Sequence, residues 1–280
     1  MAEGPTVRRR RLGMKLRELR EAAGKTRDEA AEHLEVTAQT ISRFELGRGG
    51  IRAKTVREFL DLYGVAPDDP IRADLEQMAR EGRRRGWWSA YAGLIGSGYA
   101  TLIGLEVDAV ESLDYAALLV PGLLQTEDYA RAVIRAALPD LPDEQVDRRV
   151  EVRMERQGRF AAGLRQWAVL DEAVIRRVMG GPNVMRIQLQ RLAEAAQTPN
   201  VTIQVVPFAT GGYPGMVGAF RILTFEDDPD VVYVEGVTGE QFLEGDAVGR
   251  YTAHFNGLRA AGLHLDESIR LIEEAAKALR

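Results

Sequence analysis

The side chains best suited to chemistry sit in the run Thr37-Ala38-Gln39-Thr40-Ile41-Ser42-Arg43-Phe44-Glu45. A glutamine amide can pair bidentately with adenine and a guanidinium with guanine, each giving about 1–3 kcal/mol of discrimination against a wrong base. Thr37 is a good helix N-cap, and Ile41 and Phe44, three apart, share one face of the helix it would start. Ala38, Gln39, Ser42 and Arg43 fall on another. The spacing predicts a short helix with one face to pack and one to lie in the major groove of DNA.

Other chemistries lack their parts. The chain has no cysteine, which excludes disulfides, thiolate metal sites and a cysteine nucleophile, and His33, His254 and His264 have no metal-ligand spacing. Glu151, Glu155, Asp171, Glu172 and Glu235 offer carboxylates that could pair for acid–base work, but no nucleophile, metal cluster or phosphate loop accompanies them. They read as salt-bridge partners. Gly96-Ser97-Gly98 lacks the third glycine of a dinucleotide turn, and Glu226-Asp227-Asp228-Pro229-Asp230 lacks the alternating ligands of a calcium loop. The expectation is a protein that is no enzyme, with no catalytic residues and no cofactor or metal. No apolar run approaches the ~20 residues of a membrane span and the start lacks a signal-peptide core. The expected location is the cytoplasm, at the nucleoid when bound to DNA.

Charge divides the chain. Residues 1–63 hold 14 basic against 10 acidic residues, a balance of +4, and the remainder 23 against 32, a balance of −9. A basic front is compatible with phosphate contacts, and equally with solvated charged helices.

The elements that must position the reading stretch precede and follow it. Leu12, Leu16, Leu19 and Ala23 recur at helical spacing up to Gly24. Arg8 to Arg11 lead into that helix and read either as a solvated helix start or as a phosphate-touching arm. Thr26-Arg27-Asp28-Glu29 has the form of a capping box and opens a second helix with Ala30, Ala31 and Leu34 on its packing face. A short turn at Glu35-Val36 then leads into the reading stretch, with Val36, Ile41 and Phe44 beneath, as in a helix-turn-helix. Phe59 to Tyr63 close the unit before Pro67-Asp68-Asp69-Pro70 breaks the chain.

Residues 12–65 resemble the helix-turn-helix domains of the phage-repressor (XRE) class. The resemblance rests on Leu16-Arg17-Glu18-Leu19-Arg20, Gly24-Lys25-Thr26, Ala30-Ala31, Leu34 and Thr40 to Arg48. It implies Gln39 and Arg43 as base-edge readers, with Ser42 secondary and Ala38 limited to a methyl contact. Arg27, Thr40, Arg48 and Lys54 are the implied phosphate anchors, each with an alternative as a solvated surface side chain. Arg20 and Glu45 are the implied structural ion pair. Three departures stand out: Arg27 replaces a glutamine, Ala38 replaces a frequent base reader, and Glu35 replaces the turn glycine. The last is expected to alter the turn, because non-glycine residues resist positive φ.

Behind this unit, Ile71, Leu75 and Met78 suggest a connecting helix, followed by Trp87-Trp88, which read as packing residues before base stackers. Thr126 starts a helix, and another runs from Asp143. Strands are expected at 167–170, 201–206, 220–225 and 231–235, the last two forming a hairpin, with a helix at 184–196 and two more at the end. The expected organisation is a helix-turn-helix domain over 8–66, a connecting segment over 67–105 and an α+β domain over 106–280 with a small, mostly antiparallel sheet. This back part resembles the C-terminal region of the actinobacterial WhiJ-like regulators. The resemblance rests on Leu119 to Ala130, Arg153-Met154-Glu155-Arg156-Gln157, Leu170-Asp171-Glu172, Val205-Val206-Pro207-Phe208, Val232-Tyr233-Val234-Glu235 and Glu267-Ser268. Joined to the helix-turn-helix unit, it leads to the expectation of a homodimer on double-stranded DNA, reading two half-sites about 34 Å apart with the acidic C-terminal domain as dimer or partner platform; the resemblance itself implies a transcriptional regulator. It also implies a small partner protein encoded beside it, in an antitoxin-like or developmental setting. The alternative is a ligand-responsive repressor in which the Gly211-Gly212-Tyr213-Pro214-Gly215 loop covers a small-molecule pocket.

Overall fold

The computed structural model describes residues 7–47, 50–83, 86–160, 163–216 and 218–279. The chain forms two compact units, Met1–Asp108 and Ala109–Arg280.

The first unit is helical: α1 (Val7–Ala22), α2 (Arg27–His33), α3 (Ala38–Glu45), α4 (Ala53–Leu62), α5 (Pro70–Gly82), a 3-10 turn at Trp87–Tyr91 and α6 (Ser97–Glu106). The starts follow from local chemistry. Glu29 N donates to Thr26 Oγ1 at 3.2 Å while Thr26 N donates to the Glu29 carboxylate at 2.8 Å, the reciprocal capping box. Thr37 Oγ1 accepts from Thr40 N at 3.2 Å at the head of α3. Leu12, Leu16, Ala30, Ile41, Phe59 and Leu60 are buried to 2% exposure or less and form one core, each large side chain contributing roughly 2 kcal/mol.

Two expectations change here. The connecting helix is α5, and its Leu75 and Ala79 are buried in that same core against α1 and α4. The arginine run divides: α1 already begins at Val7, Arg9 and Arg10 are buried within it, and Arg8 is exposed. Arg9 Nε donates to Gly82 O at 2.5 Å and Arg8 Nε lies 3.2 Å from Glu81 Oε2, which fastens the start of α1 to the end of α5.

The second unit is a six-stranded sheet with helices. Its strands are β1 (Glu111–Ala116), β2 (Arg165–Asp171), β3 (Val201–Val206), β4 (Phe220–Thr224), β5 (Val231–Gly236) and β6 (Gly239–Leu243), in the order β3-β2-β1-β4-β5-β6. Three of the five pairings are antiparallel, while β1–β2 and β2–β3 are parallel. Parallel neighbours need crossovers. These are α7 (Glu127–Ala137) with α8 (Asp143–Phe160), then α9 (Glu172–Arg176) with α10 (Pro182–Ala195); α11 (Asp246–Ala261) and α12 (Leu265–Ala278) end the chain. Ala168, Leu170, Ile203 and Val205 pack with α10 and α12 on one face, and Tyr115, Val169, Phe220 and Ile222 pack with Phe255 and Leu258 of α11 on the other. Burial on both faces explains the near-continuous apolar runs of β2 and β3. The outer edge of β3 is closed by the chain itself: Leu263 N donates to Val205 O at 2.9 Å, and Val205 N donates to Ser268 Oγ at 3.0 Å.

Candidate nucleic-acid interface

Helix α3 is held from behind. Ile41 is fully buried, Phe44 meets Phe59 edge-on with ring centroids 6.3 Å apart, and Glu45 is 5% exposed. Gly13 of α1 sits where α3 crosses. A Cβ there would lie 2.4 Å from Phe44 O and 2.5 Å from Glu45 O, so only glycine admits this approach. One signal for it is legible along the chain, a glycine inside an otherwise helical pattern, which marks close packing.

The buried carboxylate of Glu45 is the electrostatic pivot. Arg20 Nε lies 2.5 Å from Oε1, and Arg20 Nη1 also donates to Lys25 O at 2.8 Å. The hydrogen bond to Glu45 holds the Arg20 guanidinium above its ordinary pKa. Tyr63 feels the same site, its phenol pushed up by burial first and by the Glu45 charge next. Arg27 Nε donates to Oε2 at 3.0 Å from a side chain 44% exposed. Among the described residues its other nitrogens have no partner, so this arginine can be oriented by Glu45 and still offer N–H groups to a phosphate.

The other side of α3 faces outward. Gln39 and Arg43, four residues apart, are both exposed and share that face. Ser42 is half-buried beside them. Ala38 is half-buried and packs on the helical core, which leaves its methyl little outward surface. Thr40 is half-buried, its hydroxyl 3.0 Å from that of Thr37. Lys54, at the head of α4, is 79% exposed with its Nζ 3.6 Å from Glu58. Arg48 lies outside the described residues. Val36, expected beneath the hairpin, is exposed instead.

The turn before α3 keeps the conformation that a glycine would give it. Glu35 has φ +54°, the only non-glycine residue with positive φ among those described. The expected change of turn does not occur, and the backbone accepts the unfavourable side chain instead.

A helix pair with this turn, a locked rear face and polar side chains on the outer one defines a helix-turn-helix DNA-binding regulator. Residues 11–73 match the family model described as a helix-turn-helix domain. Residues 99–274 match the domain of unknown function DUF5753, more than half of the chain, and the chain belongs to that family. Among curated proteins and solved structures nothing matches. No helix among the described residues is long and apolar enough to cross a membrane.

Proposed function

We propose that this chain is a sequence-specific transcriptional regulator of the phage-repressor (XRE) kind, acting in the cytoplasm as a homodimer on two half-sites of double-stranded DNA. The observation that carries this reading is the placement of Gln39 and Arg43 together on the exposed face of a helix whose opposite face is fixed by Ile41, Phe44 and Glu45. In this reading Gln39 and Arg43 read base edges, while Arg27, Thr40, Arg48 and Lys54 meet phosphates. The acidic second unit, of WhiJ-like kind, serves dimerisation and binds a small partner protein. In this reading the chain is no enzyme, which is supported by the structural tasks of two of the candidate carboxylates: Asp171 caps α9 through Ala173 N at 2.7 Å, and Glu172 accepts from Phe208 N at 2.7 Å and from Arg176 Nε at 3.0 Å.

Two observations favour a protein partner over a metabolite. The Gly211–Gly215 loop is packed down, with the Tyr213 hydroxyl bonded to Asp171 and 2.7 Å from that of Tyr115. A cleft of about 550 Å³ between α7, α8 and the start of α10 has its arginines already matched, Arg131 to Asp147 and Arg135 to Asp143.

Footprinting on the DNA flanking the gene tests the function, with a protected inverted or pseudo-inverted repeat as the expected result. Gln39→Ala is expected to weaken that site about tenfold or more while sparing random DNA, and Lys54→Ala to weaken both alike. Equal losses for Gln39→Ala on both DNAs would remove it from the reading surface.

A further inference from the structure

The two edges of the sheet in the second unit differ. That of β3 is closed by Leu263 and Ser268, whereas no backbone hydrogen bond among the described residues reaches the outer edge of β6. Counting outward from the closing pair Gly236–Gly239 of the two-residue hairpin, the pairs that exchange bonds with β5 are those of Gln241 and Leu243. The backbone groups of Glu240 and Phe242 therefore point outward. An edge of this kind is a template for another strand unless it is blocked.

Charge decides which strand it takes. Between Arg221 and Arg250 the sequence holds eight acidic residues and no basic one. Two of them, Glu235 and Glu240, lie directly opposite one another across β5 and β6, hence on one face of the sheet. Like charges so placed are destabilising, and neither carboxylate has a hydrogen bond or ion pair among the described residues. The Tyr233 phenol on the same face is pushed up by burial first and by these two charges next. Phe242 stands beside Tyr233 at 5.4 Å between ring centroids and is only half-buried. The face next to the open edge thus offers an acid at Glu240 and then an aromatic ring two residues on at Phe242.

We propose that the outer edge of β6 is the docking site for an extended basic segment of a partner protein, which adds as a seventh strand. Its side chains on this face would place a cation against Glu240 and Glu235 and, two residues away, an apolar residue over Phe242. A second copy of β6 would bring the same basic-free acidic stretch alongside this one, and nucleic acid would be repelled, so both are disfavoured at this edge. The inference rests on the partner-binding reading of the second unit and gives that reading a surface and a chemistry.

The test uses the full chain and a fluorescent seven-residue peptide with lysine at its second and sixth positions, valine at the fourth and threonine elsewhere, followed by anisotropy at low salt. The lysine peptide is expected to bind, and a glutamate version is not. The double variant Glu235→Gln, Glu240→Gln, which relieves repulsion and so keeps the fold, should bind roughly tenfold more weakly. Glu240→Pro removes an outward N–H without touching the ladder to β5 and should abolish binding. Unchanged affinity in the glutamine variant, no binding of the lysine peptide to the native chain, or conversion of a dimer to monomers by Glu240→Pro would overturn the proposal. No DNA enters these measurements, so an absent footprint and an absent peptide complex are separate failures.

Discussion

Arg27 Nε and Glu45 Oε2 lie 3.0 Å apart, so the first turn of α2 is tied to the last residue of α3 through the carboxylate that Arg20 already holds. The two arginines differ in worth. Arg20 has a side chain 8% exposed, and removing Glu45 would strand its charge away from water, whereas Arg27 is 44% exposed and screened. Glu45→Ala is expected to cost about 3–5 kcal/mol in urea unfolding and Arg27→Ala less than about 1. The double variant Arg20→Ala, Glu45→Ala should cost clearly less than the sum of its single variants, because no buried charge is left unpaired and the freed Arg27 is exposed to water. Additive losses would show that the pair is not coupled.

Glu35 offers a change in the opposite direction. A non-glycine residue at φ +54° is disfavoured by roughly 1 kcal/mol, and this side chain is exposed with no described partner to offset it. Glycine adds some unfolded-state entropy, which reduces the gain. Glu35→Gly should therefore stabilise the helical unit by about 0.5–1 kcal/mol, seen as a higher urea midpoint with unchanged slope. A lower midpoint would mean that the carboxylate has a stabilising role in the turn.

What was legible in the sequence follows from how local each cause is. Thr26 with Glu29, and Thr37, announce helix starts within four residues, and the alternation or apolar runs of β2, β3, β4 and β5 announce strands. The strand β1 gave no such sign. Ser112 and Asp114 point into the protein, where Asp114 is bonded to Arg221, to Ser112 Oγ at 2.8 Å and to Gln166 Nε2 at 3.0 Å, so its polar residues occupy positions where an apolar pattern is sought. The glycine and polar residues of β6 gave little, as suits an open edge. Arg9 and Arg10 are buried through contacts with residues far along the chain, which no reading of four adjacent arginines supplies. At the interface, the outward pair Gln39 and Arg43 was legible from spacing alone. The share of Arg27 taken by Glu45 was not, being set by how two helices cross.

The tyrosines make the protein sensitive to base. Burial is the first cause that pushes the phenols of Tyr63, Tyr115, Tyr129, Tyr213 and Tyr233 above their ordinary value. In the unfolded chain a phenol ionises near pH 10. Below that pH both states hold the proton and stability is unaffected; above it the unfolded state ionises first, so stability falls as the pH rises toward the folded values. Urea midpoints should be flat from pH 8 to about 9.5 and decline beyond. Phenolate absorbance of the native protein should rise by less than its eight tyrosines would give if free. A full rise without loss of structure would contradict the burial.

Ser268 stands in for a neighbouring strand at β3. It is fully buried, and its hydroxyl accepts the Val205 N–H at 3.0 Å. Ser268→Ala leaves that N–H buried without a partner, which costs about 1–3 kcal/mol, far more than the small change in packed volume. Hydrogen exchange at Val205 should accelerate, while exchange in β5 changes only with global stability. Unaltered protection at Val205 would show that another group has taken the place of the hydroxyl.

Gly13 sets two effects against each other. It lies within α1, where alanine would favour the helix by up to about 1 kcal/mol. The added Cβ, however, would stand 2.4 Å from Phe44 O and 2.5 Å from Glu45 O, and these are backbone atoms of α3 that no rotamer change can move aside. Overpacking of that kind costs about 1–3 kcal/mol and is relieved only by shifting α3 away from α1. The steric term should win, so Gly13→Ala is expected to lower the urea midpoint. Because the shift would carry Gln39 and Arg43 with it, specific DNA binding should fall by more than the loss of folded protein explains, while weak binding to random DNA is largely kept. A Gly13→Ala protein as stable as the parent, with the same affinity for its site, would show that α3 does not depend on this crossing.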